Sequence, residues 1–267
     1  SNDGLAFGTS GATAFNIAAD GSLSTPTSGT SNVRFGVNAG NSIASGGIRN
    51  VLVGDEAGTA ITTGDENVAV GYEALKNEDA NGKNTAIGTQ TLFAQNAGAE
   101  AYNTAMGYQT GAAVTTGVQN TLIGGLAGDA LTDADNNVAL GYNALSADTL
   151  GGKSTAIGRG SLASQNFTSA TDTHNTAVGY HAGNAITTGT ANTLVGSIAG
   201  DAITIGGENV ALGYGSLSAN VSGDRSTAIG YRALAVQNDG TSSYDADNTA
   251  VGFHAMVAIT TGTRNVA

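Results

Sequence analysis

The chain has 267 residues and a mass of 26.1 kDa, with 41 glycines, one proline, no tryptophan, no cysteine and only 5% aromatic residues. So little bulk fills at most a thin interior of Ala, Val, Ile, Leu and Thr, and without cysteine there is no disulfide framework or thiolate metal site. A formal charge of −12 with nine scattered Lys and Arg argues against nucleic acid, whose backbone needs clustered cations, and against anionic membranes.

Low charge and a single proline are also linker traits, but the apolar positions recur too strictly for disorder. No run reaches the 18 apolar residues of a membrane span, and no basic start followed by an apolar run marks a signal peptide. A surface-exposed bacterial or viral protein is the expected setting.

Residues 1–30 are expected to form an N-terminal hairpin cap and connector. Leu5-Ala6-Phe7-Gly8 and Ala14-Phe15-Asn16-Ile17 read as short strands, Asp20-Gly21 as a hairpin turn, and Thr25-Pro26-Thr27-Ser28-Gly29 as the connector.

From residue 31 to 267 one phrase repeats, Asn-Thr/Val-Ala-Val/Ile-Gly-Tyr-x-Ala-Leu, around Gly36, Gly54, Gly71, Gly88, Gly107, Gly124, Gly141, Gly158, Gly179, Gly196, Gly213, Gly230 and Gly252. The spacings run 18, 17, 17, 19, 17, 17, 17, 21, 17, 17, 17, 22, so a longer interval recurs every fourth coil within blocks of about 72 residues. This period predicts an all-β fold, a parallel β-solenoid or β-roll of about 13 short coils. Asn265-Val266-Ala267 open a further phrase, so the repeat domain is read as truncated inside a coil.

Four residues before the glycine stands Asn in eleven copies and Ser154 or Ser226 in the other two, read as a corner residue that bonds its own backbone. The next three residues form a β-prone run too short for a helix. Both faces of that run are apolar: Ile87 and Ala86, Val70 and Ala69, Leu140 and Ala139, Val178 and Ala177 point opposite ways. One face lines the coil, and the other is expected to meet a second copy of the chain. The small Ala would permit close approach, with Leu52, Leu122 and Leu194 as larger plugs.

After the glycine comes Tyr72, Tyr108, Tyr142, Tyr180, Tyr214, Tyr231 or Phe253, an expected ladder for packing or, less favoured, a glycan-binding strip. Runs such as Ile61-Thr62-Thr63-Gly64, Val114-Thr115-Thr116-Gly117, Ile186-Thr187-Thr188-Gly189, Ile203-Thr204-Ile205-Gly206 and Ile259-Thr260-Thr261-Gly262 suggest a second strand in alternate coils, ended by a glycine with positive φ. Their Thr ladders are too discontinuous for an ice-binding plane. Insertions at 93–101, 164–173 and 236–247 should protrude in register and are the best place for a target contact.

The chemistry of an enzyme is not visible. His174, His181 and His254 lack partners at metal-site spacing; no Gly-x-Ser-x-Gly elbow or phosphate loop is complete. Asp129, Asp133, Asp135 and Asn136 form one acidic cluster, but without the spacing of an EF-hand or a calcium β-roll it reads as a solvated loop. Asn166-Phe167-Thr168 and Asn220-Val221-Ser222 match the glycosylation acceptor at chance frequency. No catalytic residue, cofactor or metal is expected, and no ligand-binding residue is singled out.

The phrases Asn84-Thr85-Ala86-Ile87-Gly88, Asn137-Val138-Ala139-Leu140-Gly141-Tyr142-Asn143-Ala144-Leu145 and Asn175-Thr176-Ala177-Val178-Gly179-Tyr180 resemble repeats of bacteriophage tail fibres, particularly those ending in a self-cleaving chaperone domain. They are also similar to head repeats of trimeric autotransporter adhesins. The resemblance covers residues 32–267, and the opening stretch Gly4–Leu23 resembles, more weakly, the segment preceding repeats in phage fibres. It implies a homotrimer serving attachment to cell surfaces. Adhesin heads typically repeat at a shorter interval than the 17 dominant here, which favours the phage-type fibre. The expected function is thus a structural fibre segment that spaces or presents host-attachment surfaces. The alternative is an adhesin head binding matrix or glycans, and a glycan-degrading tailspike is the least favoured.

Overall fold

The computed structural model describes residues 29–238 and 244–267 in full and the backbone of 5–9, 12–17 and 23–24. Near the N-terminus β1 (Leu5–Thr9) pairs antiparallel with β2 (Ala12–Ile17), at the places where short strands were expected, and β2 also pairs with β3 (Leu23–Ser24), which was not expected. The Asp20-Gly21 turn and most of the connector lie outside the described residues.

The repeats follow as β4 (Val33–Phe35), β5 (Val51–Val53), β6 (Val68–Val70), β7 (Thr85–Ile87), β8 (Thr104–Met106), β9 (Thr121–Ile123), β10 (Val138–Leu140), β11 (Gly151–Gly152), β12 (Thr155–Ile157), β13 (Thr171–Asp172), β14 (Thr176–Val178), β15 (Thr193–Val195), β16 (Val210–Leu212), β17 (Gly223–Asp224), β18 (Thr227–Ile229), β19 (Tyr244–Asp245) and β20 (Thr249–Val251). The thirteen strands just before the repeat glycines form one parallel sheet in sequence order. Equivalent residues lie side by side, as in Ala69↔Ala86 and Val70↔Ile87. This is a β-solenoid, a rod of roughly 60 Å at one strand spacing per coil.

The repeat glycine turns the chain out of each strand. At Gly71 φ is +138°, and an added Cβ would lie 2.4 Å from the carbonyl oxygen of Gly88 in the next coil. Both the left-handed backbone and the close stacking exclude a side chain there.

The middle residue of every strand from β5 to β20 in the main sheet faces the interior. Ala69, Ala86, Ala139 and Ala177 are fully buried within their own coils, and so are Leu52, Leu122 and Leu194. This corrects the expectation that the Ala face meets a neighbouring chain with Leu as plugs. The Leu residues fill space inside. The terminal carbons of Leu122 occupy the room over Gly111 in the preceding coil and Gly128 in its own, as those of Leu52 and Leu194 do over Gly40 and Gly58, and over Gly183 and Gly200. In six coils whose strand carries Ala, the place four after the repeat glycine is a buried Leu: Leu75, Leu92, Leu145, Leu162, Leu217 and Leu234; in the coils of Ala105 and Ala177 it is Gly111 and Gly183, over which the Leu of the following coil lies. Interior volume is thus conserved by exchanging which side of the coil supplies the bulk.

The Asn column is also inside rather than at an exposed corner, and it bonds the next coil rather than its own backbone. Asn120 Oδ1 accepts from the Asn137 backbone N–H at 2.9 Å, and Asn120 Nδ2 donates to the Ala134 carbonyl at 2.7 Å. Asn50, Asn103, Asn137, Asn192 and Asn209 make the same pair of bonds. One amide per coil therefore satisfies buried backbone groups that a three-residue strand leaves unpaired.

The Ile-Thr-Thr-Gly runs are bends, not second strands. Thr62 both donates its backbone N–H to the Asp79 carbonyl, at 2.6 Å, and its hydroxyl to the same oxygen, at 3.1 Å. Gly64, Gly117 and Gly189 do not have the expected positive φ; a Cβ on them would meet a carbonyl oxygen of the next coil at 2.3, 2.5 and 2.2 Å.

Candidate interaction surfaces

The inserted loops have a buried anchor. Seven residues after the repeat glycine the first two coils of each full block bury an aliphatic side chain, such as Ile61, Leu131 or Ile203, but the third and fourth coils bury Glu78 and Gln95, Asp148 and Gln165, or Asn220 and Gln237. Asp148 Oδ1 accepts from the backbone N–H of Gly151 and of Phe167, both at 3.0 Å, and Oδ2 accepts from Gln165 Nε2 at 2.6 Å. Gln165 also donates to Ser154 Oγ and accepts from Asn175 Nδ2. The Ser that replaces Asn before an insertion and the Gln that bridges past it keep the ladder continuous. Gln237 repeats this with Ser226 and Asn248. The first block retains Asn84, and there Glu78 Oε2 and Asn84 Nδ2 are buried without a partner; burial pushes the Glu78 carboxyl above its ordinary value.

Two of the insertions are tied down rather than simply protruding. β13 pairs with β11 and β19 with β17, each returning segment adding to the coil before it. Asp133, Asp135, Leu150, Lys153, Thr171 and Asp172 line the polar groove beside the second insertion. Lys153 pairs with Asp172 at 2.5 Å and holds its carboxyl below the usual range. Asp133 accepts from Thr116 Oγ1 at 2.6 Å and Asp135 from the Val118 N–H at 2.7 Å. Asp129 stands apart, its carboxyl raised by burial and Oδ1 unpartnered. Among the described residues no three His, Asp or Glu gather as metal ligands. Asn166 is exposed, whereas Asn220 is buried against Gly223.

The outward face of the main sheet is a second surface. Since strand side chains alternate, the residues flanking each buried middle position point outward: Val or Thr in every strand from β5 onward on one side, and on the other Val53, Val70, Ile87, Met106, Ile123, Leu140, Ile157, Val178, Val195, Leu212, Ile229 and Val251. Leu140 and Leu212, in the middle of the rod, are 42% and 44% exposed. A continuous apolar strip of this length exceeds the scattered apolar exposure of ordinary surfaces.

Beyond the glycine stands the aromatic column, its tyrosines about half exposed and Phe253 more so. Tyr214, Tyr231 and Phe253 occupy consecutive coils and stack at 5.4 and 5.3 Å with planes 11° and 12° apart. His254 stacks on Tyr231 and Phe253, and His181 on Tyr180. His174 is exposed. Further back the tyrosines occupy alternate coils, with Thr89, Gly125, Arg159 and Ser197 between them. The Arg159 guanidinium carbon lies 5.9 Å from the Tyr142 ring and 5.6 Å from that of Tyr180. Sequence reading missed this sandwich, although Arg159 stands one coil from Tyr142 and one from Tyr180 at the same place of the repeat. The other eight cations are dispersed: Arg49, Lys76, Lys83, Lys153, Arg225 and Arg264 pair with carboxylates, Arg34 donates to the Ala39 carbonyl, and Arg232 follows Tyr231 in its coil.

No protein-family model, curated protein or solved structure matches the chain. The architecture is consistent with a structural or adhesive role, as is common for β-solenoid repeats, and no helix of the described residues is long and apolar enough to cross a membrane.

Proposed function

We propose that this chain is a non-enzymatic fibre segment that self-associates, as a homotrimer, through the outward face of the thirteen-stranded sheet, and so spaces or presents surfaces for host-cell attachment. The unbroken Val/Ile/Leu/Met row beside a Val/Thr row is the observation that carries this reading. A strip of roughly 60 by 10 Å offers on the order of 600 Å² per copy, close to one side of a standard interface. The dominant 17-residue interval supports the phage-type fibre over an adhesin head, and rigid display of repeated weak surfaces gains avidity without strong single contacts. The exposed tyrosines favour adhesion as the second reading. A glycosidase tailspike is disfavoured because its general acid needs a raised pKa beside the second carboxylate, whereas in the groove Asp172 is lowered by Lys153.

Light scattering coupled to size exclusion tests the assembly. A mass near three times 26.1 kDa is expected. Leu140→Glu combined with Leu212→Glu should give a folded monomer, while Ala139→Glu should abolish folding by placing a charge inside the coil. A wild-type monomer across the concentration range would overturn the self-association claim.

A further inference from the structure

We propose that the open gaps of the tyrosine column are binding slots for arginine side chains of a partner polypeptide. The chain fills one such gap itself. Between Tyr142 and Tyr180, Arg159 lies within cation–π range of both rings, and its Nη1 is 3.2 Å from the Tyr180 hydroxyl and 3.2 Å from His181 Nε2. Three equivalent gaps carry no cation: Tyr72 to Tyr108 across Thr89, Tyr108 to Tyr142 across Gly125, and Tyr180 to Tyr214 across Ser197. Rings on consecutive coils are 5.3 to 5.4 Å apart in the stacked part of the column. Rings two coils apart therefore leave about twice that separation, room for one planar group in contact with both.

Charge selects among planar occupants. The chain carries −12, and it places cations over aromatic rings outside this column as well, Lys76 over Phe93 and Lys83 over Tyr102. A guanidinium is flat, always charged and weakly hydrated, so it suits a slot between two rings better than an ammonium does. The gaps over Thr89 and Gly125 are two coils apart, about 9.6 Å at the strand spacing. A polyproline II segment brings every third side chain to the same side at about 9.3 Å. The occupant that fits both is an extended polypeptide with Arg at every third position.

The test uses the full chain and a labelled, end-capped peptide with Arg at every third position among prolines, compared with the same peptide carrying Lys. Gly125→Arg supplies an internal occupant. A Cβ at Gly125 meets nothing closer than Tyr142 Cδ2 at 3.6 Å, and its φ is not positive, so the variant is compatible with the fold. Fluorescence anisotropy should show the Arg peptide binding about fivefold or more tighter than the Lys peptide, from about 1 kcal/mol of cation–π contact. Gly125→Arg and Tyr108→Leu should each weaken it severalfold, with Gly125→Ala unchanged. Equal affinity for the two peptides, or undiminished binding to Gly125→Arg folded by circular dichroism, would overturn the proposal; if that variant does not fold, Tyr108→Leu decides. Light scattering on the same samples reports self-association separately, so this claim and the fibre reading fail independently.

Discussion

At the residue scale the most informative side chains are the buried polar ones. A fully inaccessible carboxylate is tolerated at Asp148 because backbone N–H groups and Gln165 surround it. Glu78, its counterpart in the first block, accepts from the Asn81 N–H through Oε1 and leaves Oε2 without a partner within hydrogen-bond range. Its folded-state pKa lies above the ordinary 4.5, so folding favours the protonated form and stability falls as pH rises from the unfolded value through the raised one. Below both values the carboxyl is neutral in each state and the deficit vanishes. Glu78→Gln should therefore raise the urea midpoint at about pH 7 and leave it unchanged below about pH 4. Asn220 at the same place of the third block shows that an uncharged amide fits there. A difference independent of pH would mean that packing, not ionisation, separates the two side chains.

At the element scale, a coil with a three-residue strand has too little surface to fold alone, so its stability is made between neighbours. The Asn column and the Leu and Gly exchange are the two devices. Leu122→Ala empties the space over Gly111 and Gly128 and should cost about 2–5 kcal/mol in a denaturant titration. Gly128→Leu alone should clash, since its Cβ would lie 2.8 Å from Leu131 Cδ1 and 2.9 Å from Leu122 Cδ2. Combining it with Leu122→Ala removes the second of these contacts, and Leu already adopts φ of 53° at the equivalent Leu145. The double variant should be more stable than the sum of the singles predicts, by about 0.5–3 kcal/mol. Simple additivity would show that the two sides of the coil do not share one volume.

At the scale of the whole molecule the four-coil block is the unit that the buried chemistry respects. Each block places two aliphatic coils before an acidic or Asn coil and a Gln coil, and the insertion follows the latter. Deleting residues 108–179 joins Gly107 to Tyr180, equivalent places one block apart, and should leave a folded rod with a smaller denaturant m-value in proportion to the lost surface. Deleting the single coil 125–141 joins Gly124 to Tyr142 and puts Leu122 in a coil whose partner position is Leu145, an overpacked interior that should destabilise by about 1–3 kcal/mol. The surface ion pairs, such as Arg225 with Asp247, are exposed and contribute little beside this.

The glycine period by itself determined the coil number, the parallel in-register sheet and the inserted coils, because a 17-residue recurrence of a β-prone phrase leaves each strand no nearer partner than its own copy one period on. The sequence also showed that both faces of the strand are apolar, but not which one turns inward. Only the coil's closure decided that. The interior is so thin that Ala and the exchanged Leu fit it, while the larger Val, Ile and Leu row is left outside. Likewise Asn next to a strand has the local chemistry of a corner residue, and its burial depends on the carbonyl and N–H that the next coil presents. The Arg159 sandwich is a matter of stacking too: residues 17 to 21 positions apart became neighbours because the coils lie one on another.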